Sequence, residues 1–139
     1  MAATAAMAAA ARALPQATHG TLFVYGRHGM AALHFEPVPL DRPHGLIAVL
    51  VGGLTDGLLN FSYLPILRDA LATADVPLLQ VMLRTAYRQY GFGSVAQDVD
   101  DLDELADTLE QHLGRPPRLL LIGHSTGCQV GGPGGIGEV

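Results

Sequence analysis

Ser125 has the strongest claim to chemistry in this chain. It stands in Gly123-His124-Ser125-Thr126-Gly127, a G-x-S-x-G pattern directly behind the apolar run Leu119-Leu120-Leu121-Ile122. A serine hydroxyl can attack an acyl carbon when it projects clear of its own backbone. A very sharp strand-to-helix turn with small flanking residues achieves this. Gly123 and Gly127 suit the close approaches such a turn requires. The N–H of Thr126 would then face the oxyanion of a tetrahedral intermediate, aided by the N-terminus of the helix expected to start there. A second glycine-rich loop, Gly52-Gly53-Leu54-Thr55-Asp56-Gly57, follows the apolar run of residues 46–51. Leu54, or else Thr55, is the candidate for the second oxyanion N–H.

Other readings of the same residues are weaker. The loop at 52–57 is G-x-x-x-x-G, but Leu58 stands where a phosphate-binding loop needs lysine. Gly91-Phe92-Gly93-Ser94-Val95-Ala96 matches G-x-G-x-x-A, yet it sits well after its strand and belongs to the fourth strand of the chain rather than the first. A nucleotide-binding module therefore lacks support, and no cofactor is expected. The single cysteine, Cys128, excludes a disulfide framework and a multi-cysteine metal site. No metal is expected, and Cys128 reads as a buried or partly buried structural residue.

The elements that must position Ser125 can be read from hydrophobic spacing. Residues 21–25 and 31–35 are short β-favouring runs around Gly26-Arg27-His28-Gly29, a hairpin with a glycine-assisted turn. Residues 46–51 are apolar without alternation, as in a strand covered on both faces. Residues 63–74 have helical spacing, and another apolar run follows Pro77. From 95 to 113 a longer helix carries the stripe Val95, Val99, Leu102, Ala106, Leu109 and Leu113. Ser94 with Gln97 forms a capping box, and Gly114 with Pro116-Pro117 ends the helix. Residues 119–122 are then a last buried strand. The order hairpin, strand, helix, strand, helix, strand predicts an α/β chain with a mostly parallel sheet.

Composition bounds what this chain can be. In 139 residues, 49% are hydrophobic and 15% charged, and the mean hydropathy is +0.28. One folded domain fits, and a charge-rich disordered chain does not. No apolar run is long enough for a membrane span. The net charge of −5 comes from 13 acids against 8 bases, all arginine. The acids cluster between Asp98 and Glu110, on a helix face that reads as solvent-exposed. With no basic stripe, nucleic acid is not an expected partner. Residues 1–17 are alanine-rich and read as a disordered tail or targeting segment. Residues 18–130 form the domain, and 131–139 are a glycine-rich tail. The default location is cytoplasmic, with an organelle transit peptide as the alternative suggested by an N-terminus free of acids.

The strings GGLTDG (52–57) and LIGHSTGCQ (121–129) together resemble the DUF1749/UPF0613 family of α/β-hydrolase proteins, which includes fungal esterases acting on hydroxamate siderophores. The resemblance covers residues 20–129. It implies an α/β-hydrolase fold, Ser125 as nucleophile, oxyanion N–H groups at Thr126 and near Leu54, and a small-molecule ester as substrate.

One departure bears on function. An α/β-hydrolase orders its triad as serine, acid, histidine. After Ser125 the sequence holds one acid, Glu138, and no histidine; His19, His28, His34, His44, His112 and His124 all come earlier. The sequence therefore reads as the N-terminal half of a serine ester hydrolase, cut short after the nucleophile elbow and inactive as it stands. The alternative is a non-catalytic isoform or fragment acting as a binding module.

Overall fold

The computed structural model describes residues 17–53, 55–86 and 94–130. Two antiparallel strands open it, β1 (Gly20–Tyr25) and β2 (Met30–Phe35). Gly26 and Gly29 close their turn, both at a φ of +67° that side-chain-bearing residues rarely adopt. Then come β3 (Leu46–Val51), α1 (Leu64–Thr73), β4 (Leu78–Val81), α2 (Val95–Leu113) and β5 (Arg118–Gly123). The sheet order is β1-β2-β4-β3-β5. β4 pairs antiparallel with β2 and parallel with β3, and β5 runs parallel to β3.

β3 is an interior strand, between β4 and β5, and shows why its sequence does not alternate. Ile47, Val49 and Val51 pack towards α2 with Leu102, Leu105 and Leu109. Ala48 and Leu50 pack on the other face, with Phe61, Leu64 and Leu78. Both faces are covered, so every inward position is apolar. The helix ends follow the sequence closely. The Gln97 N–H donates to Ser94 Oγ at 3.2 Å, the Ser94 N–H donates to Gln97 Oε1 at 3.1 Å, and Gly114 takes φ +70°.

Three expectations need correction. On α2, Val95 is 42% exposed and Leu105 is fully buried, so the apolar stripe enters one turn later than the spacing suggested. The acidic face is not simply solvated: Asp98 is 8% exposed and Asp101 0%. The segment after β4 brings polar partners under the helix. Asp101 accepts from the Arg84 backbone N–H at 2.8 Å and from Arg84 Nε at 2.6 Å, and Asp98 accepts from Thr85 Oγ1 at 2.7 Å. Glu104 pairs with Arg27 of the hairpin turn at 2.7 Å. Lastly, β5 is an edge strand and not a buried one. Leu120 is 44% exposed, because β3 covers only one edge of β5 among the described residues.

No helix among the described residues is long and apolar enough to cross a membrane. Both terminal stretches, apart from Ala17, lie outside the described residues, as does the Gly91-Phe92-Gly93 part of the G-x-G-x-x-A match.

Candidate functional site

At the end of β5 the chain turns abruptly. The His124 N–H donates to Val51 O at 2.9 Å, carrying the parallel pairing one residue past the strand. His124 is still extended, and Ser125 then adopts φ +56°, a left-handed conformation that a non-glycine residue enters only under constraint. The turn closes with the Gly127 N–H on His124 O at 3.0 Å. Ser125 is exposed. Both flanking glycines are sterically required. A Cβ on Gly123 would lie 2.6 Å from Cys128 Cα, and one on Gly127 would lie 2.7 Å from Gly52 O. The segment that follows is a five-residue 3-10 helix, Ser125–Gln129, where the sequence suggested an α-helix from Thr126.

The loop after β3 lies against this turn. A Cβ on Gly53 would stand 3.2 Å from Ser125 Cβ, 3.3 Å from Thr126 Oγ1 and 3.2 Å from Asp56 Oδ2. Asp56 ties the loop to itself. Its Oδ2 accepts the Gly53 N–H at 2.6 Å, its own N–H donates to Gly53 O at 3.1 Å, and Asn60 Nδ2 donates to Oδ1 at 2.8 Å. The structure thus brings Gly52-Gly53 and the Ser125–Thr126 turn together, as the two sequence motifs suggested. Leu54 lies outside the described residues, while Thr55 is described and exposed.

His124 adjoins Ser125 but is held elsewhere. Its Nδ1 shares a 2.9 Å hydrogen bond with Tyr63 Oη, and its ring lies 4.6 Å from that of Phe61. Desolvation, then Asp56 and Cys128, raise the Tyr63 phenol above its ordinary 10.0, keeping it protonated. The earlier histidines also have other partners. His28 meets Arg84 Nη1 at 3.1 Å, His34 meets Val38 O at 2.7 Å, and His44 meets Asp75 O at 2.9 Å. Among the described residues no histidine is hydrogen-bonded to Ser125. Cys128 is exposed, correcting the expectation of burial, because the tight turn holds it at the surface with its thiol donating to Gly123 O at 3.2 Å.

Sequence reasoning missed Gln80, Asp56 and Tyr63 as residues built around the turn. Gln80 alone left a signal, as the one polar residue in the apolar run 78–83. A cavity of about 680 Å³ among the described residues lies away from Ser125. It lies beside the C-terminal turn of α2, lined by Phe23, His34, Leu40, Asp41 and His112 among others.

Comparison with known proteins bears on the family and the fold. The model of the family described as "Protein of unknown function (DUF1749)" matches residues 7–130. The chain is 30% identical over 107 residues to the fusarinine C esterase sidJ of Aspergillus fumigatus, covering 72% of this chain and 30% of that protein. Among solved structures it superposes on the siderophore hydrolase EstB from Aspergillus fumigatus with a TM-score of 0.65 at 27% identity, over 81% of this chain and 34% of the other. An α/β-hydrolase-fold protein of unknown function gives 0.62 at 25% identity, over 84% and 39%. The chain thus spans about a third of the length of each relative. With the family model matching most of its length and the sheet matching these solved structures, the chain belongs to the DUF1749 family and has an α/β-hydrolase fold.

Proposed function

We propose that this chain carries the nucleophile and oxyanion-binding part of a serine ester hydrolase. Ser125 is the nucleophile, Thr126 supplies one oxyanion N–H, and Leu54 or Thr55 supplies the other. The observation that carries this reading is the left-handed backbone of Ser125 at the end of a parallel strand, between two glycines that no other residue could replace without collision. Backbone strain of this kind persists where the surroundings over-determine it, and it clusters at functional sites. The relatives' names support an ester substrate, and a siderophore ester in particular.

In the reaction, Ser125 Oγ attacks the ester carbonyl carbon, the carbonyl oxygen becomes an oxyanion facing the two N–H groups, and the alcohol leaves with a proton. The hydroxyl proton needs a base. No histidine follows Ser125 in these 139 residues, and none among the described residues is hydrogen-bonded to it, so the general base is not identified in them. Oxyanion stabilisation and binding alone leave roughly 10³–10⁴-fold catalysis over water in serine proteases stripped of triad members. With no base placed at Ser125, these residues are expected to acylate slowly and to deacylate more slowly still.

Incubation with p-nitrophenyl acetate followed by peptide mapping tests this. The expected result is at most one acetyl group per chain on Ser125, absent in Ser125→Ala, with no steady release of p-nitrophenol. A folded chain that gains no acetyl group on Ser125 would contradict the reading and favour a non-catalytic binding role.

A further inference from the structure

Gln80 lies in β4, in the middle of the sheet, and is 2% exposed. An amide is an unexpected side chain at such a position, because its neighbours along the strand, Leu79 and Val81, are apolar and buried. It is fully used. Gln80 Oε1 accepts the Leu59 N–H at 2.9 Å, and Nε2 donates to Gly57 O at 3.1 Å. Leu59 itself is at φ +63°, a left-handed conformation for a branched side chain. A strained residue in a loop stays there only when something fixed holds it. Here that is an amide anchored in the central sheet, gripping both sides of the strained position.

The gripped segment is the far end of the same loop whose near end lies on Ser125. Asp56 connects the two ends, taking the Gly53 N–H on one oxygen and the Asn60 amide on the other. Gln80 at Gly57 and Leu59 and Asp56 at Gly53 and Asn60 therefore tie down the described part of the loop between β3 and α1. An oxyanion N–H is effective when it is aimed before the reaction begins, since it then costs no reorganisation as charge develops. A mobile loop would have to be ordered in each reaction.

We infer that Gln80 is a positioning residue that sets the geometry of the oxyanion loop beside Ser125 through its two hydrogen bonds to Gly57 and Leu59. This rests on the proposed role of Ser125. The chemistry follows from the amide's dual character. One side chain must accept from an N–H and donate to a carbonyl two residues away, and among side chains of that length that are uncharged at neutral pH only glutamine does both.

Two variants test it. Gln80→Met keeps the length and apolar fit but makes neither bond. Gln80→Glu reproduces both bonds when its carboxyl is protonated and loses the donated one when ionised. Acylation of Ser125 by p-nitrophenyl acetate and hydrogen exchange at the Gly53 and Leu59 amides are measured against wild type over a range of pH. Gln80→Met is expected to acylate at least ~10-fold more slowly, short of the ~10²–10³-fold loss from deleting an oxyanion donor outright, and to exchange Leu59 faster. Gln80→Glu is expected to approach wild type at acid pH and fall away as its carboxyl ionises, a titration that neither wild type nor Gln80→Met shows. That pH profile distinguishes positioning from general stability, and it decides the matter if Gln80→Met fails to fold. Acylation of Gln80→Met at the wild-type rate, or a Gln80→Glu profile without the new titration, overturns the inference. If wild type itself is not acylated, the reading of Ser125 fails. The exchange rates then decide the loop brace alone, and unchanged exchange in Gln80→Met overturns it.

Discussion

Replacing Asp101 by alanine removes a carboxylate that solvent does not reach at all, from a helix whose sequence looks like a plain acidic surface. Its oxygens take the Arg84 backbone N–H at 2.8 Å and Arg84 Nε at 2.6 Å. Removing one member of a buried ion pair costs about 3–5 kcal/mol, because the other charge is left without compensation. The lower end applies here. The Arg84 side chain is 25% exposed and keeps a bond to Gln97 O at 3.2 Å, so it can regain some hydration. The orphaned backbone N–H of Arg84 adds to the loss. We therefore expect Asp101→Ala to destabilise the chain by about 3 kcal/mol, and to lower Tm by about 10–15 °C in a domain of this size. The control is Asp100→Ala. Asp100 is the exposed neighbour, where substitution should stay within about 0.5 kcal/mol. Urea denaturation followed by circular dichroism gives both values. Equal midpoints for the two variants would refute the reasoning, since the sequence alone does not distinguish these aspartates.

Two further predictions follow from the same structure. Desolvation raises the Asp98 pKa above its ordinary 3.8, with Asp101 adding to it and Thr85 and Arg84 opposing it. The folded state therefore binds this proton more tightly than the unfolded state, and Asp98 costs stability as pH rises above 3.8. Asp98→Asn keeps an acceptor for Thr85 Oγ1 and removes that cost. Its stability relative to wild type should rise from acid to neutral pH in urea melts, and a difference that is flat or falls with pH would contradict the assignment. At the elbow, Gly127→Ala would drive a methyl group against the Val51 and Gly52 carbonyls. The expected loss is about 1–3 kcal/mol together with loss of Ser125 acylation, measured by melting and peptide mapping. Wild-type acylation in this variant would mean that the turn is not required as drawn.

Much of this is legible in the sequence. The interior strand β3 announced itself by the absence of alternation, the long helix by its capping box and terminal glycine, and the elbow by small residues placed where backbone must pass backbone. The rest depended on contacts distant in sequence. Asp98 and Asp101 look like surface acids until β4 places Thr85 and Arg84 beneath them, and no periodicity records that. Asp56 and Gln80 act on a loop whose path depends on how β3 and β4 pair. Cys128 looked like a core residue because free cysteines usually are. The tight turn at Ser125 holds it at the surface instead.

The central claim is that the chain presents Ser125 as the reacting nucleophile, slow as it is without a base. Covalent capture by a fluorophosphonate probe tests it most directly, with the modified residue located by mass spectrometry in wild type, Ser125→Ala and Cys128→Ser. The account predicts a label on Ser125 that disappears in Ser125→Ala and persists in Cys128→Ser. A folded chain that takes no label, or takes it on another residue, would contradict it.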